Sequence, residues 1–308
     1  MINKANAKPS KFRSLKLQEQ RLSTLLVMPA VLIVGGIYLY PSILTIIYSF
    51  STVDVRGMTV SDFVGLANYI DLLGSHEFWV LTARTLYFGT VIIILSVIIS
   101  FAIAILLDQD FKGRTMLRVL ILLPWAVPPV VSAVMWGQVF HSEAGTLNAI
   151  IYQLGLGSGD TLWLGSPLLA LHVIIFAEVW RAVPFITLFL LAGLQNIPDT
   201  LFDAASIDGA NVWQKFRYIL LPLIMPVLLP LIVVRFAWAM KSFDIIFVLT
   251  RGGQRTRIIN YFVYQEGFEF LNFGTATAAA FLLLILTLIV VGILVLIQKR
   301  YIAGGFGE

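Results

Sequence analysis

The chain is 308 residues long, 59% hydrophobic and 12% charged, with a formal net charge of +4 and no cysteine. Soluble domains carry about 25% charged residues, so the composition excludes one and describes a protein that lives in a membrane. Disulfide frameworks and thiolate metal sites are excluded, no His-Glu-x-x-His pattern marks a zinc hydrolase, and the small charge reads as a topology signal, with no nucleic-acid partner expected.

A bilayer core about 30 Å thick needs about 20 apolar residues in a helix, because lipid offers no partner to a bare peptide group. Six stretches meet that need: 22–50, 85–107, 119–140, 168–192, 219–249 and 275–298. They predict a transmembrane domain over 22–298, a basic tail over 1–21 and a second tail over 299–308. The first run is far longer than the ~7–15 apolar residues of a signal peptide and no small-x-small site follows it, so a retained span is expected. Thirteen basic residues fall on one side: Lys4, Lys8, Lys11, Arg13, Lys16 and Arg21, then Lys112, Arg114 and Arg118, then Lys215 and Arg217, then Lys299 and Arg300. Arg56, Arg84, Arg251, Arg255 and Arg257 fall on the other, which predicts cytoplasmic termini. The arginines of "TRGGQRTR" are the local conflict with that rule, open to contact with a partner or with lipid headgroups.

The external connection 51–83 contains "FVGLANYIDLL", expected as a short surface helix at the membrane rim. Trp125, Trp136 and Trp163 lie near predicted span ends and are expected as interfacial anchors. His172 is expected as an interfacial or core histidine, since one imidazole without neighbouring ligands makes no metal site. Glu178 and Arg181, three apart in the fourth span, are expected as a structural ion pair that makes two buried charges tolerable.

The connection 193–218 is longer than joining two adjacent helices requires. Pro198 and Asp199 suit a first helical turn, and Gly209 stops that helix by adopting a left-handed backbone. Asn211 with Gln214 three residues on predicts a capping box for the next helix, whose Trp213, Phe216 and Tyr218 lead back to the membrane. The expected product is a helix–turn–helix elbow, with Asp203, Asp208 and Lys215 free to face water or a partner.

In the fifth span, Arg235, Trp238, Lys241 and Ser242 share one side with Asp244 at its margin, opposite Phe236, Met240, Phe243 and Phe247. Charges at membrane depth favour a water-filled cavity or a partner helix, and Trp238 with Ser242 sets an aromatic plate beside a polar group. The alternative is an internal pair between Lys241 and Asp244 on one helix face. Pro222, Pro226 and Pro230 predict a kink where this span begins, either a hinge or a static bend.

"DAASIDGANVWQKFRYILLP" resembles the EAA motif of ABC-importer permeases. Ala204, Ala205, Gly209, Ile219, Leu221 and Pro222 match it, Asp208 and Phe216 match its sugar-importer form, and Asp203 stands where Glu is usual. "FVGLANY", "LLPWAVPPVVSAVMWGQVF", "EVWRAVPF", "LLAGLQNIP" and "FDIIFVLTRGG" resemble the carbohydrate-importer subgroup, so the resemblance covers nearly the whole chain after about Leu22. The motif order is similar to the first permease subunit, the maltose "F" or trehalose "A" type. Where the family commonly has Thr-Gly-Gly-Pro, this chain has Thr250-Arg251-Gly252-Gly253-Gln254.

This resemblance implies an all-α membrane protein of six transmembrane helices, the type I ABC importer permease fold, in a prokaryotic plasma (inner) membrane. It implies an elbow that serves as a coupling helix, with Asp203, Ala204, Ala205, Asp208, Gly209, Phe216 and Pro222 meeting an ATPase. The implied partners are a second homologous permease, two ATP-binding cassette subunits that bind the ATP and Mg, an extracytoplasmic solute-binding protein, membrane lipid and a sugar-like solute. No cofactor is expected in this chain, and no catalysis. It has no Gly-x-x-x-x-Gly-Lys-Ser/Thr loop, and "GLGSGDT" at 155–161 lacks the lysine. The rival is an ion-driven secondary transporter, which would carry internal repeats; beyond a loose echo of "RVLILLP" in "RYILLP" there are none.

Overall fold

The computed structural model describes residues 10–54 and 59–305, with side chains for 20–53 and 59–301. Lys4, Lys8 and Arg56, the side chains of Lys11, Arg13 and Lys16, and, in the tail 299–308, residues 306–308 with the side chains of 302–305 lie outside the described residues.

Helix α1 (Ser10–Ser49) leads into a small antiparallel hairpin, β1 (Ser51–Asp54) with β2 (Thr59–Phe63), and the short helix α2 (Ala67–Gly74). Next come α3 (His76–Asp108), α4 (Arg114–Leu120), α5 (Leu123–Ala126), α6 (Pro129–Val139), α7 (Thr146–Gln153) and α8 (Pro167–Leu194). Helices α9 (Asp199–Ile207) and α10 (Val212–Lys215) precede a π-helical turn (Phe216–Leu220) that runs into α11 (Leu221–Met240). Then follow α12 (Asp244–Leu249), α13 (Ile259–Tyr264), a second π-turn (Gln265–Glu269) and α14 (Phe273–Gly305).

Among the described residues five helical segments are long and apolar enough to cross a bilayer, and a sixth is reached if a bent pair counts as one broken span and not as a re-entrant loop. The chain is therefore an all-α multi-pass membrane protein apart from the hairpin. The predicted third span is not one rod: Arg114–Ala126 and Pro129–Val139 meet at 97°. The cause is local, because Pro128 forces Val127 into extended backbone (ψ 126°) while Pro129 restarts a helix whose first turn lacks nothing by losing an N–H. The fifth span ends at Met240 and not at 249, with Lys241–Phe243 out of helical register before α12 begins. The predicted kink at Pro222 takes the form of the π-turn just ahead of it, where the Leu221 N–H reaches back to the Phe216 carbonyl and the helix continues unbroken. The surface helix at the rim is α2, though "FVGL" belongs to β2 and the turn after it.

Between helices lipid supplies no hydrophobic drive, so small residues that admit close approach carry the packing. Gly89, Ser96, Ser100 and Ala104 form such a stripe on α3 at helical spacing, all buried. The Ser100 hydroxyl donates to the Val183 carbonyl of α8 at 3.0 Å, and Phe88, Ile92, Ile174, Ala177, Ile245 and Ile258 close the core around it. Toward the elbow, Leu107, Ile186, Leu190, Leu194, Ile224 and Leu228 lock α3, α8 and α11 together. At the opposite end the end of α1 and the hairpin are pinned to α2: Asn68 Nδ2 donates to the Ser49 and Ser51 carbonyls at 3.0 and 3.2 Å, and α14 packs beside them through Gly274. A methyl on Gly274 would stand 2.5 Å from the Ser51 carbonyl oxygen, so Gly274→Ala is expected to destabilise the solubilised chain by about 1–3 kcal/mol. An unshifted melting midpoint in detergent would show that the hairpin yields instead.

A candidate solute pathway and coupling elbow

The break between α11 and α12 builds the site. Non-helical backbone at membrane depth is tolerated where it lines a cavity or is buried in protein. Here Lys241 and Ser242 still cap α11 through N–H bonds to Trp238 and Ala239 at 3.0 and 3.1 Å, then Phe243 turns the chain (φ −138°) and Asp244 opens α12. A carboxylate in a first helical turn complements the exposed N–H groups there.

A cavity of about 240 Å³ sits against this break, lined by Arg235, Trp238, Lys241, Ser242 and Asp244 of the predicted pathway set and by Glu178 and Arg181 of α8. Glu178 and Arg181 do pair, Oε2 to Nη1 at 3.4 Å, but they are not isolated: the Ser242 hydroxyl donates to Glu178 Oε1 at 2.9 Å. The two predicted groups thus form one cluster joining α8 to the broken helix. Arg235 is 8% exposed, its guanidinium lies 5.1 Å from the Trp238 ring centroid, and its Nε is buried without a hydrogen-bond partner. Trp238 is exposed and lies tilted against Phe185, with ring centroids 5.3 Å apart. Lys241 and Asp244 are both exposed and, among the described residues, form no ion pair with each other, because the break between them removes the shared helix face.

Two aromatic residues among the further lining were not expected there. Trp125 of α5, predicted as an interfacial anchor, reaches the cavity because the bend after Ala126 turns that helix inward, and Phe243 lines it from the break itself. The other two tryptophans are not simple anchors either. Trp136 packs among Phe140, Phe176 and Trp180 within 5.8 Å, and the Trp163 indole donates to Asn148 Oδ1 at 2.7 Å. His172 accepts from Tyr87 or donates to it at 2.8 Å, and no group of three or more potential metal ligands occurs among the described residues.

The elbow forms as its local chemistry predicts. Gly209 is left-handed (φ +77°), with its N–H on the Ser206 carbonyl at 3.1 Å and the Ala210 N–H on Ala205 at 2.9 Å, the paired bonds of a Schellman cap. Asn211 and Gln214 complete the capping box in both directions at 2.8 and 2.9 Å. Asp203 and Asp208 are exposed, but Lys215 is not free: its ammonium donates to Ser206 Oγ across the turn. Phe216 packs edge-on to Phe101 of α3 at 5.6 Å and stacks on Trp213, tying the elbow to the membrane helices. Ile207, Val212, Trp213 and Tyr218 are 67–87% exposed, an apolar patch on a polar loop of the kind that marks an interaction surface.

Comparison with known proteins places this geometry. The profile of the binding-protein-dependent transport system inner membrane components matches residues 96–303. The chain is 40% identical over 239 residues to the trehalose/maltose transport system permease protein MalF of Thermococcus litoralis, covering 78% of this chain and 80% of that one. It is 34% identical over 284 residues to the sn-glycerol-3-phosphate transport system permease protein UgpA of Yersinia pestis, covering 91% and 94%. Its fold superposes, with a TM-score of 0.81 at 21% identity over 94% of the chain, on a chain from the crystal structure of a bacterial ABC transporter that imports the acidic polysaccharide alginate. The chain belongs to the family of binding-protein-dependent transport system inner membrane components, as a non-catalytic, membrane-spanning permease subunit of an ABC importer.

Proposed function

We propose that the chain is the first-type permease of an importer for a sugar or a related polyol or osmolyte, moving its solute by alternating access through the cavity at the α11–α12 break. The observation that carries this reading is that Arg235, Trp238, Lys241, Ser242 and Asp244 converge on one cavity together with the aromatic ring of Trp125. Polar forks beside aromatic plates suit hydroxylated rings, and the names of the trehalose/maltose and glycerol-phosphate relatives point to the same solute class. In this reading both termini are cytoplasmic, the elbow sits in a cleft of one of two ATPase subunits, and Asp203, Ala204, Ala205, Asp208, Gly209, Phe216 and Pro222 transmit their closure as rigid-body motion. A homologous permease completes the pathway, and an extracytoplasmic binding protein delivers the solute in a prokaryotic plasma membrane.

Mild-detergent purification of the tagged chain, followed by mass spectrometry and vanadate-sensitive ATPase assays with candidate sugars, tests the assembly. Recovery of an ATPase and a second permease, stimulated by one loaded binding protein, identifies the solute. For the pathway itself, Trp238→Ala and Lys241→Ala are each expected to weaken apparent solute affinity about tenfold, the loss of one well-placed polar or stacking contact. Unchanged affinity in both variants removes the contact assignment.

A further inference from the structure

We infer that the solute carries a single carboxylate, as a sugar acid or a polyol acid does, and that Arg235 receives it at the α11–α12 break. The inference rests on the pathway proposed above and names the chemistry which that pathway accepts.

The donors on one wall of the cavity outnumber their acceptors. Both oxygens of Glu178 are engaged, Oε2 by Arg181 at 3.4 Å and Oε1 by the Ser242 hydroxyl at 2.9 Å. Arg235 is left over. It lines the cavity and is 8% exposed, yet among the described residues its guanidinium makes no hydrogen bond and no ion pair. The Trp238 ring, with its centroid 5.1 Å away, steadies the charge but is no match for five N–H donors. The Nε atoms of Arg235 and Arg181 are both buried and unpartnered. A guanidinium taken out of water without an acceptor is costly, so this wall favours a ligand that brings one.

Charge decides which acceptor suits it. The lining holds three cations, Arg181, Arg235 and Lys241, against two carboxylates, Glu178 and Asp244. Glu178 compensates Arg181, and the exposed Lys241 and Asp244 offset each other in sum, so the excess positive charge falls on Arg235. The hydroxyls of a neutral sugar offer acceptors without charge. A phosphate brings about −1.5 to −2, more than the excess. One carboxylate matches it and meets a guanidinium through two parallel N–H···O bonds. A carboxylate of the second permease would match the charge as well, but it would tie Arg235 across the pathway, and every transport cycle would have to break a desolvated ion pair. A carboxylate on the solute departs with the solute. Because Arg235 lies over Trp238, an acid group held there also brings the attached ring beside that indole, with Trp125 lining the same cavity.

The test uses the full importer, with its co-purifying binding protein, in phosphatidylcholine proteoliposomes. The probes are matched neutral and acid solutes: glucose with glucuronate, maltose with maltobionate and xylitol with xylonate, plus glucuronamide as an uncharged isostere. Calorimetry gives the binding protein's own affinity for each, and uptake is compared with the binding protein saturated. In any pair that is transported, the acid is expected to enter about tenfold faster or more than its neutral partner. Arg235→Gln is expected to bring that ratio close to one, and Arg235→Lys, which keeps the charge, to retain most of it. A neutral solute that enters the unmodified complex as fast as its acid overturns the inference and leaves the missing carboxylate to the second permease. A Gln variant that slows acid and neutral solutes alike makes Arg235 structural and overturns it too. If no solute of either kind enters, the sugar-importer reading fails first and this inference with it.

Discussion

Valine in place of Gly209 is expected to leave the chain folded and inserted while cutting solute-driven ATP hydrolysis by the assembled importer about tenfold. Gly209 holds φ +77°, and a side chain there costs about 1–2 kcal/mol, more when β-branched. The two bonds that fix the turn, Gly209 N–H to Ser206 and Ala210 N–H to Ala205, contribute about 1 kcal/mol each, so the strain is large enough to displace them. Ile207 and Asp208 on one side of the turn and Val212 and Trp213 on the other then lose their common orientation. Among the described residues no atom beyond the adjoining ones lies within 4 Å of where the new Cβ would stand, so the effect is one of backbone and not of collision. That distinction sets the control: Gly209→Asn, whose residue tolerates the left-handed region, is expected to keep most of the activity. ATPase rates in proteoliposomes for the Asn and Val variants decide it, and equal rates would mean that the turn geometry has no part in coupling.

Alanine at Glu178 is expected to destabilise the chain by about 1–3 kcal/mol, because it strips the compensation from the buried Arg235 and the half-buried Arg181. Glu178 faces Arg181 at 3.4 Å and accepts from Ser242 at 2.9 Å, while Arg235, 8% exposed, lies in electrostatic reach of both Glu178 and Arg181. Its loss leaves guanidiniums at membrane depth and releases the broken helix from α8. Replacing the pair together, as Glu178→Ala with Arg181→Met, is expected to recover part of the loss by removing one orphaned charge. Thermal unfolding of the solubilised single and double variants measures the coupling; strictly additive losses would show that the two residues do not act as a pair.

These two sites differ in how far the residues alone disclose them. The elbow is local: a cap, a left-handed glycine and a capping box lie within sixteen residues, 199–214, so short-range hydrogen bonding dictates its shape and the sequence reads correctly almost residue by residue. Only the Lys215–Ser206 contact, which spans the turn, escaped. The cavity is not local. Periodicity placed Arg235, Trp238, Lys241 and Ser242 together by assuming one continuous helix, whereas they meet because that helix ends. Those residues line one cavity, but across a break in the helix and not along one continuous face.

Hydropathy and the positions of Gly and Pro determined the multi-pass membrane character and the shape of the elbow, since each follows from the cost of bare backbone in lipid or from contacts a few residues apart. What tertiary structure alone decided is where spans break and what then converges. The 97° bend that brings Trp125 to the cavity, the bond from Ser242 to Glu178 across 64 residues, and the tie of Arg257 to Glu77 all depend on which helices lie side by side. That choice rests on close approach along stripes such as Gly89, Ser96, Ser100 and Ala104, and small residues announce that two helices touch without naming the partner.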